Sequence, residues 1–94
     1  ISRKKLKEFW TKHLDAEKPL RAWFADAKKS QWDTPMVIKR KYKNASILTN
    51  NRVVFNIKGN DYRLIVAINY NFEILYIRFI GTHREYDAID ATKI

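Results

Sequence analysis

The chain contains no cysteine and only two glycines and two prolines among its 94 residues. Without thiols it can form neither disulfides nor zinc–thiolate sites, and nothing points to an oxidising compartment. A hydrophobic content of 46% with so little glycine and proline excludes a disordered segment or a low-complexity repeat. No apolar run approaches the roughly 20 residues of a membrane span, and no signal-peptide pattern occurs. The two histidines, His13 and His83, lie far apart, which disfavours a metal site.

Acidic side chains are also scarce, at 10 against 19 lysines and arginines, and the net charge is +9. A charge of this size on so short a chain favours a polyanion as the partner. The alternatives are a basic surface that only aids solubility and, less favoured, contact with an anionic membrane surface. The length predicts a single domain over residues 1–94. Because the sequence begins at Ile1 rather than Met, we expect a few native residues, with room for an edge strand, to precede it.

The N-terminal half has the apolar spacing of helices. Asp15 is expected to cap the second helix, with Pro19 in its first turn, and Thr34-Pro35 predicts a third helix through about Arg40. The helical spacing of the aromatic residues favours core packing over stacking on nucleic-acid bases. The first two apolar stripes are Leu6, Phe9, Trp10 and His13, then Leu20, Trp23, Phe24 and Ala27.

The C-terminal half alternates apolar and polar residues, as antiparallel strands do. The predicted strands are Ser46–Leu48, Arg52–Lys58, Tyr62–Tyr70 and Glu73–Gly81. A two-residue loop at Asn71-Phe72 pairs Tyr70 with Glu73, and an even-numbered turn around Gly59 then fixes the core face. That face comprises Val53, Phe55, Ile57, Leu64, Val66, Ile68, Leu75, Ile77 and Phe79. The predicted fold class is α+β, an antiparallel sheet with N-terminal helices on one face and a short C-terminal helix.

The opposite sheet face is expected to be open, semi-apolar and cationic. Lys58 is predicted to lie opposite or nearly opposite Arg63, with Arg78 on the next strand, and no acidic residue of these strands shares the face. Like charges across strands destabilise a sheet, so a bound polyanion is favoured over a merely solvated face. Its other members are Asn56 and Tyr76, with Val54, Ile65, Ala67, Ile74 and Ile80.

Two further motifs bear on function. Thr82 and Glu85 form a capping-box pattern that makes His83 the first residue of a short helix, with Tyr86 and Asp87 on the same side. Histidine suits general acid or base work, although a lone residue here is more often an ordinary surface side chain. The basic run comprises Lys39, Arg40, Lys41 and Lys43, around Tyr42. It is either a nucleic-acid patch or a solvated helix end whose cations suit the helix dipole.

These features together resemble the HigB family of bacterial toxins, a branch of the RelE-like mRNA interferases. The resemblance spans nearly the whole chain and is strongest in residues 54–60, in Tyr62-Arg63-Leu64 and in Thr82-His83-x-Glu85-Tyr86-Asp87. It implies a cytoplasmic, ribosome-associated endoribonuclease that cleaves translated mRNA. It also implies neutralisation by a HigA-like helix-turn-helix antitoxin.

The resemblance places individual residues at positions of the family's motifs. Arg63 matches the arginine of the family's strand motif, His83 and Tyr86 fall in the C-terminal motif, and Lys58 occupies a usual basic position at a strand end. RNA supplies its own nucleophile, the 2′-OH, so the chemistry needs no metal and no small-molecule cofactor. Arg63, Arg78 and Lys58 are expected to bind the phosphate and His83 to transfer a proton, while Tyr86 stacks on a base or shares that role. The alternatives are a basic RNA- or ribosome-binding module without chemistry, and a DNA-binding regulator, for which the sequence lacks a recognition-helix pair.

Overall fold

Helices precede and follow a four-stranded sheet in the computed structural model, which describes residues 2–94. Ile1 and the segment expected before it lie outside the described residues. The helices are α1 (Lys4–Lys12), α2 (Glu17–Lys29), α3 (Pro35–Lys41) and α4 (His83–Asp87), with a 3-10 turn at Leu14–Ala16. The strands are β1 (Ser46–Leu48), β2 (Arg52–Ile57), β3 (Tyr62–Asn69) and β4 (Ile74–Thr82), antiparallel in the order β1-β2-β3-β4. The α+β fold class is confirmed, and each strand end lies within one residue of its predicted position.

Helices α1, α2 and α3 cover one face of the sheet, as the apolar stripes predict. Leu6, Leu20 and Ile38 are fully buried in this core. Each tryptophan is at most 4% exposed, and the Trp32 ring stacks on Phe55 with 5.6 Å between centroids. Burying a side chain of this size contributes about 1.5–3 kcal/mol, so core packing rather than base stacking explains these rings.

The start of α2 differs from the prediction. Ala16 precedes the helix without a side-chain cap, and Asp15 lies in the 3-10 turn instead. The Asp15 carboxylate accepts hydrogen bonds from the Lys58 ammonium at 2.7 Å and from the Tyr62 hydroxyl. The carboxylate thus bonds to an ammonium and a hydroxyl of the β2–β3 hairpin instead of to the first N–H groups of α2.

The strands pair in the predicted register from the turns that connect them as far as a bulge in β4. Val53 pairs with Val66, Phe55 with Leu64, and Val66 with Ile77, so the predicted core face is confirmed over most of its length. Between Ile65 and Val66 the partner shifts from Phe79 to Ile77, which leaves Arg78 as the extra residue. Such a bulge reverses the facing of every later position. Phe79 therefore packs on the outer face and Ile80 on the core face, the opposite of the prediction.

The outer face carries a second, smaller core, so the prediction of an open surface there is wrong in part. Val54, Ile65 and Ala91 are buried together, with Phe79 and Tyr86 packed against them. The chain after α4 is held in place by polar contacts. Arg52 Nε donates to the carbonyl of Ile94 at 2.9 Å, and Asn50 Nδ2 donates to that of Thr92 at 3.1 Å. The C-terminal segment therefore covers the apolar strip and leaves the polar residues at its margins.

Gly81 is required by close packing beneath α4. A Cβ atom there would lie 2.5 Å from Cζ of Phe79 and 3.1 Å from Oε1 of Glu85. We expect Gly81→Ala to lower the free energy of unfolding by about 1–3 kcal/mol, because the Phe79 ring must move. Urea denaturation measures the loss. Adding Phe79→Leu should restore part of it by removing Cζ, whereas an unchanged midpoint for Gly81→Ala would contradict this packing.

Candidate active site

The candidate site lies at the end of the sheet where β2 stops, β3 begins and β4 enters α4; we define it by Lys58, Arg63, His83 and Tyr86. The β2–β3 turn is joined to α4 by a hydrogen bond of 3.1 Å from the His83 backbone N–H to the carbonyl of Asp61. Arg63 is paired with Gly81, two residues before His83. Antiparallel pairing thus brings these separate parts of the chain to one end of the sheet.

Lys58 occupies the turn rather than the strand. Its φ of 51° and that of Gly59, 63°, are left-handed, so the chain leaves the sheet after Ile57. The residue opposite Arg63 is consequently Asn56, which corrects the prediction for Lys58. Lys58 is nevertheless neutralised by carboxylates from outside the strands, since its Nζ lies 2.7 Å from Asp15 and 3.3 Å from Asp61.

These contacts determine what Lys58 can do chemically. Its hydrogen bond to Asp15, and then that to Asp61, raises the pKa of Lys58. The Lys58 contact, followed by that of Tyr62, lowers the pKa of the Asp15 carboxyl. Lys58 therefore remains an ammonium ion near neutral pH and can bind a phosphate electrostatically, but it is unsuited to be a general base. Sequence reasoning missed Asp15 because its partners lie more than forty residues away along the chain.

Arg63 presents a guanidinium group held on two sides. Nη1 donates to the carbonyl of Asn60 at 3.0 Å, and the guanidinium carbon lies 5.8 Å from the centroid of the Tyr86 ring. Within residues 2–94 no carboxylate lies within 4.0 Å of it. An oriented, uncompensated guanidinium fork matches the geometry of a phosphate group.

His83 begins α4 as predicted, and its cap is complete. Oγ1 of Thr82 accepts from the Glu85 N–H at 3.2 Å, and Glu85 Oε1 accepts from the Thr82 N–H at 2.8 Å. The backbone hydrogen bond from Thr82 lowers the pKa of Glu85, so this carboxylate caps the helix in its ionised form.

The His83 ring is oriented by Asp87, with Nδ1 3.0 Å from Oδ2. A carboxylate in this position favours the tautomer protonated on Nδ1, which leaves Nε2 free to exchange a proton. The side chains of His83 and Asp87 are 50% and 60% exposed, so a large substrate can reach them. The arrangement supports proton transfer at a surface.

Tyr86 connects the candidate site to the smaller core. Its ring is partly buried against the cluster of Val54, Ile65 and Ala91 and also faces the guanidinium of Arg63. A cation over an aromatic face is worth about 0.5–1 kcal/mol at an exposed site, enough to bias the orientation of Arg63. Tyr86 is thus placed to position Arg63 in addition to the stacking or proton-transfer role expected for it.

The remaining predicted phosphate ligands lie elsewhere. Arg78 shares the outer face with Arg63 but sits at the bulge, beside Tyr76 and Arg52. In the basic run, Lys39 Nζ donates to the carbonyls of Lys43 and Ala45, and Lys41 pairs with Asp26.

Two members of the basic run remain available to bind an anionic ligand. Arg40 and Lys43 are exposed and form no ion pair within the part of the chain that the structure describes. Lys43 also borders a surface groove of about 310 Å³ that reaches Asn56 and Gly59, next to the candidate site. Lys39 and Lys41 therefore stabilise the chain at and after the end of α3. Contact of Arg40 and Lys43 with a polyanion stays a prediction.

Among residues 2–94, no three or more His, Asp or Glu side chains lie close enough together to hold a metal ion. None of the helices described between Ser2 and Ile94 is long and apolar enough to cross a membrane.

The pairing of Asp15 predicts a specific dependence of stability on pH. Because the pKa of Asp15 is lowered from its ordinary 3.8, its contribution is present above that value and is lost as the pH falls through the lower, folded-state pKa. We expect Asp15→Asn to destabilise the protein at pH 6 and to cost progressively less below pH 3.8. Urea denaturation across this range measures the difference. If Asp15→Asn instead lowers the free energy of unfolding by the same amount at every pH measured, Lys58 and Tyr62 do not stabilise the carboxylate.

One comparison with known proteins bears on identity. A family model described as HigB_toxin, the RelE-like toxic component of a toxin–antitoxin system, matches residues 16–89. The matched range runs from the start of α2 to just beyond α4, so it includes every residue of the candidate site but not α1 or Asp15. No curated protein matches the chain.

Proposed function

Because the chain belongs to the HigB family of RelE-like toxins, we propose that it is an endoribonuclease that cleaves translated mRNA on the ribosome and so inhibits translation. The observation that carries this proposal is the placement of Arg63, which has no carboxylate within 4.0 Å among residues 2–94, at the same end of the sheet as the His83–Asp87 pair. Phosphodiester cleavage needs both a positive group for the phosphate and a group that moves a proton.

The proposed reaction uses the RNA's own 2′-OH as the nucleophile. Its oxygen bonds to phosphorus while the bond from phosphorus to the 5′-oxygen breaks, giving a 2′,3′-cyclic phosphate and a 5′-OH. His83 Nε2 either takes the proton from the 2′-OH or supplies one to the leaving oxygen, and solvent water serves for the other proton. Arg63 stabilises the charge on the phosphate oxygens, and Lys58 adds a second, partly neutralised cation. Tyr86 holds Arg63 in place, and a base of the message can stack on the exposed part of its ring.

The partners follow from the same proposal. Membership in a toxin–antitoxin family implies an antitoxin, which we propose is a HigA-like helix-turn-helix protein that acts without altering the toxin chemically. With a net charge of +9, the toxin would lose affinity for RNA when its basic face is covered. The substrate is mRNA in a ribosome, so we propose that the protein acts in the cytoplasm.

A second function, RNA or ribosome binding without chemistry, is favoured by one feature. His83 and Asp87 are half exposed or more, and an acid–base pair works best where water is excluded. In the nuclease proposal, the ribosome and the message supply this missing enclosure.

The two functions are separated by inducing the chain in bacteria and mapping message ends by primer extension. The nuclease proposal predicts growth arrest with new breaks inside translated regions, both suppressed by co-expressed antitoxin. Growth arrest without breaks would favour the binding module, and intact messages on ribosomes saturated with purified protein would refute the nuclease.

A further inference from the structure

A second polar depression lies on the outer face, at the opposite end of the sheet from the candidate site. It occupies about 350 Å³ where β2 begins, β3 ends and β4 begins. Amide, guanidinium and phenol groups line it, from Asn51, Asn69, Asn71, Arg52, Arg78 and Tyr76. Such groups offer hydrogen-bond donors, acceptors, positive charge and an aromatic surface within one small volume.

Some of these groups already have structural partners. Arg52 donates from Nε to the carbonyl of Ile94 at 2.9 Å and from Nη1 to that of Asn50 at 2.8 Å. The side-chain oxygen of Asn69 accepts from the Phe72 N–H at 3.3 Å. Through these contacts, Arg52 binds the C-terminal segment and Asn69 holds the β3–β4 loop, both at the border of the depression.

Arg78 and Tyr76 have no such side-chain partners among residues 2–94. Arg78 is exposed, and among residues 2–94 its guanidinium has neither a carboxylate within 4.0 Å nor a hydrogen-bond acceptor. The bulge in β4 occurs at this residue, and bulges commonly redirect a side chain. Tyr76, also on β4, lines the same depression and is 50% exposed.

We propose that this depression binds one nucleotide of a single-stranded RNA, with the base stacked on Tyr76 and the phosphate on Arg78. The exposed amides of Asn51 and Asn71 supply donors and acceptors for the base edge. An aromatic platform next to a cation is the usual composition of a single-strand site, because every base has a face to stack and every nucleotide a phosphate to bind. A duplex is excluded, since its bases are already stacked on one another.

The inference rests on the proposed function, for which it supplies a substrate-positioning subsite. Tyr76 and Thr82 are six residues apart on β4, which corresponds to about 20 Å at ~3.3 Å per residue. The nucleotide bound at Tyr76 is therefore a different one from those flanking the cleaved bond at Arg63 and His83. It would hold the message along the outer face and orient the strand.

Fluorescence anisotropy with a labelled 2′-O-methyl RNA of about 12 nucleotides tests the subsite, because this RNA can bind but cannot be cleaved. We expect Tyr76→Ala and Arg78→Gln each to weaken binding about tenfold, and Tyr76→Phe to bind like the unmodified chain. Arg78→Gln should also reduce the slope of log K against log salt by ~0.7, while Tyr76→Ala should leave it unchanged. Lys7→Ala, which removes an exposed charge from α1 on the other side of the sheet, serves as the control and should bind normally.

Normal binding by folded Tyr76→Ala and Arg78→Gln would overturn the inference, as would the absence of binding by the unmodified chain. Loss of antitoxin binding with RNA binding intact would overturn it too, because the depression would then be a protein contact. The nuclease proposal fails separately. A chain that binds the RNA through Tyr76 but leaves translated messages intact refutes the nuclease alone. A chain that cleaves messages while both variants bind normally refutes the subsite alone.

Discussion

Replacing His83 by alanine is expected to lower message cleavage about 10²–10⁴-fold, the usual contribution of a positioned general acid or base. It should also abolish growth arrest. The side chain is 50% exposed and its only hydrogen bond described between Ser2 and Ile94 is to Asp87, so its removal opens no cavity and the fold should persist. Primer extension on translating ribosomes measures the break intensity, and thermal unfolding checks the fold.

A matched variant, His83→Gln, separates proton transfer from hydrogen bonding. Glutamine can still donate to Asp87, but it cannot exchange a proton near neutral pH. We expect it to be as inactive as His83→Ala. Full cleavage by either folded variant would remove His83 from the mechanism and transfer the proton-moving role to Tyr86.

Replacing Arg63 by alanine should reduce cleavage about 10²–10³-fold, the cost of losing one preorganised group that stabilises transition-state charge. Arg63→Lys keeps the charge but loses the planar fork and its contact with the Tyr86 ring, so an intermediate rate is expected. Lys7→Ala controls for the loss of one positive charge and should cleave normally.

The pattern of rates and affinities distinguishes the two proposed functions. In a binding module, Arg63→Ala would weaken RNA association, and His83→Ala would change nothing. In a nuclease, both variants lose cleavage even on ribosomes saturated with protein. Equal cleavage by Arg63→Ala and Lys7→Ala would show that Arg63 contributes only net charge.

The fold could be predicted from local patterns because those patterns were consistent with one another. The loops on both sides of β3 have even length, so alternation alone placed Val53, Leu64 and Ile77 on the core face. The bulge at Arg78 could not be anticipated in this way. It inserts one residue without any glycine or proline signal, and it exchanged the faces of Phe79 and Ile80.

The candidate site was less predictable because its environment depends on distant parts of the chain. Thr82 and Glu85 form a capping box that predicts the start of α4, and the structure confirms this local motif. The pairing of Lys58 with Asp15 joins the turn before α2 to the turn after β2, and no sequence spacing encodes such a contact. Asp15 lies just before the second helix, and aspartate is a preferred N-cap residue, so the sequence predicts helix capping instead.

The covering of the outer face could not be predicted from the sequence either. Ala91 and Ile94 lie in a short segment with no helical or strand periodicity, so nothing in the sequence indicated that it folds back over Val54 and Ile65. On this face, the candidate site and the depression around Tyr76 and Arg78 lie at opposite ends of the sheet. Two separated patches suit an extended ligand better than a compact one.

In the proposed reaction, the protein cleaves a message by activating the RNA's own 2′-OH. The most direct test of this reaction is the rate at which the purified chain breaks a short message in a programmed ribosome, with and without a single 2′-deoxynucleotide on the 5′ side of the mapped break. We predict rapid cleavage of the all-ribose message and none at the deoxy position, because the nucleophile is missing there. Equal cleavage of the two messages would contradict the account.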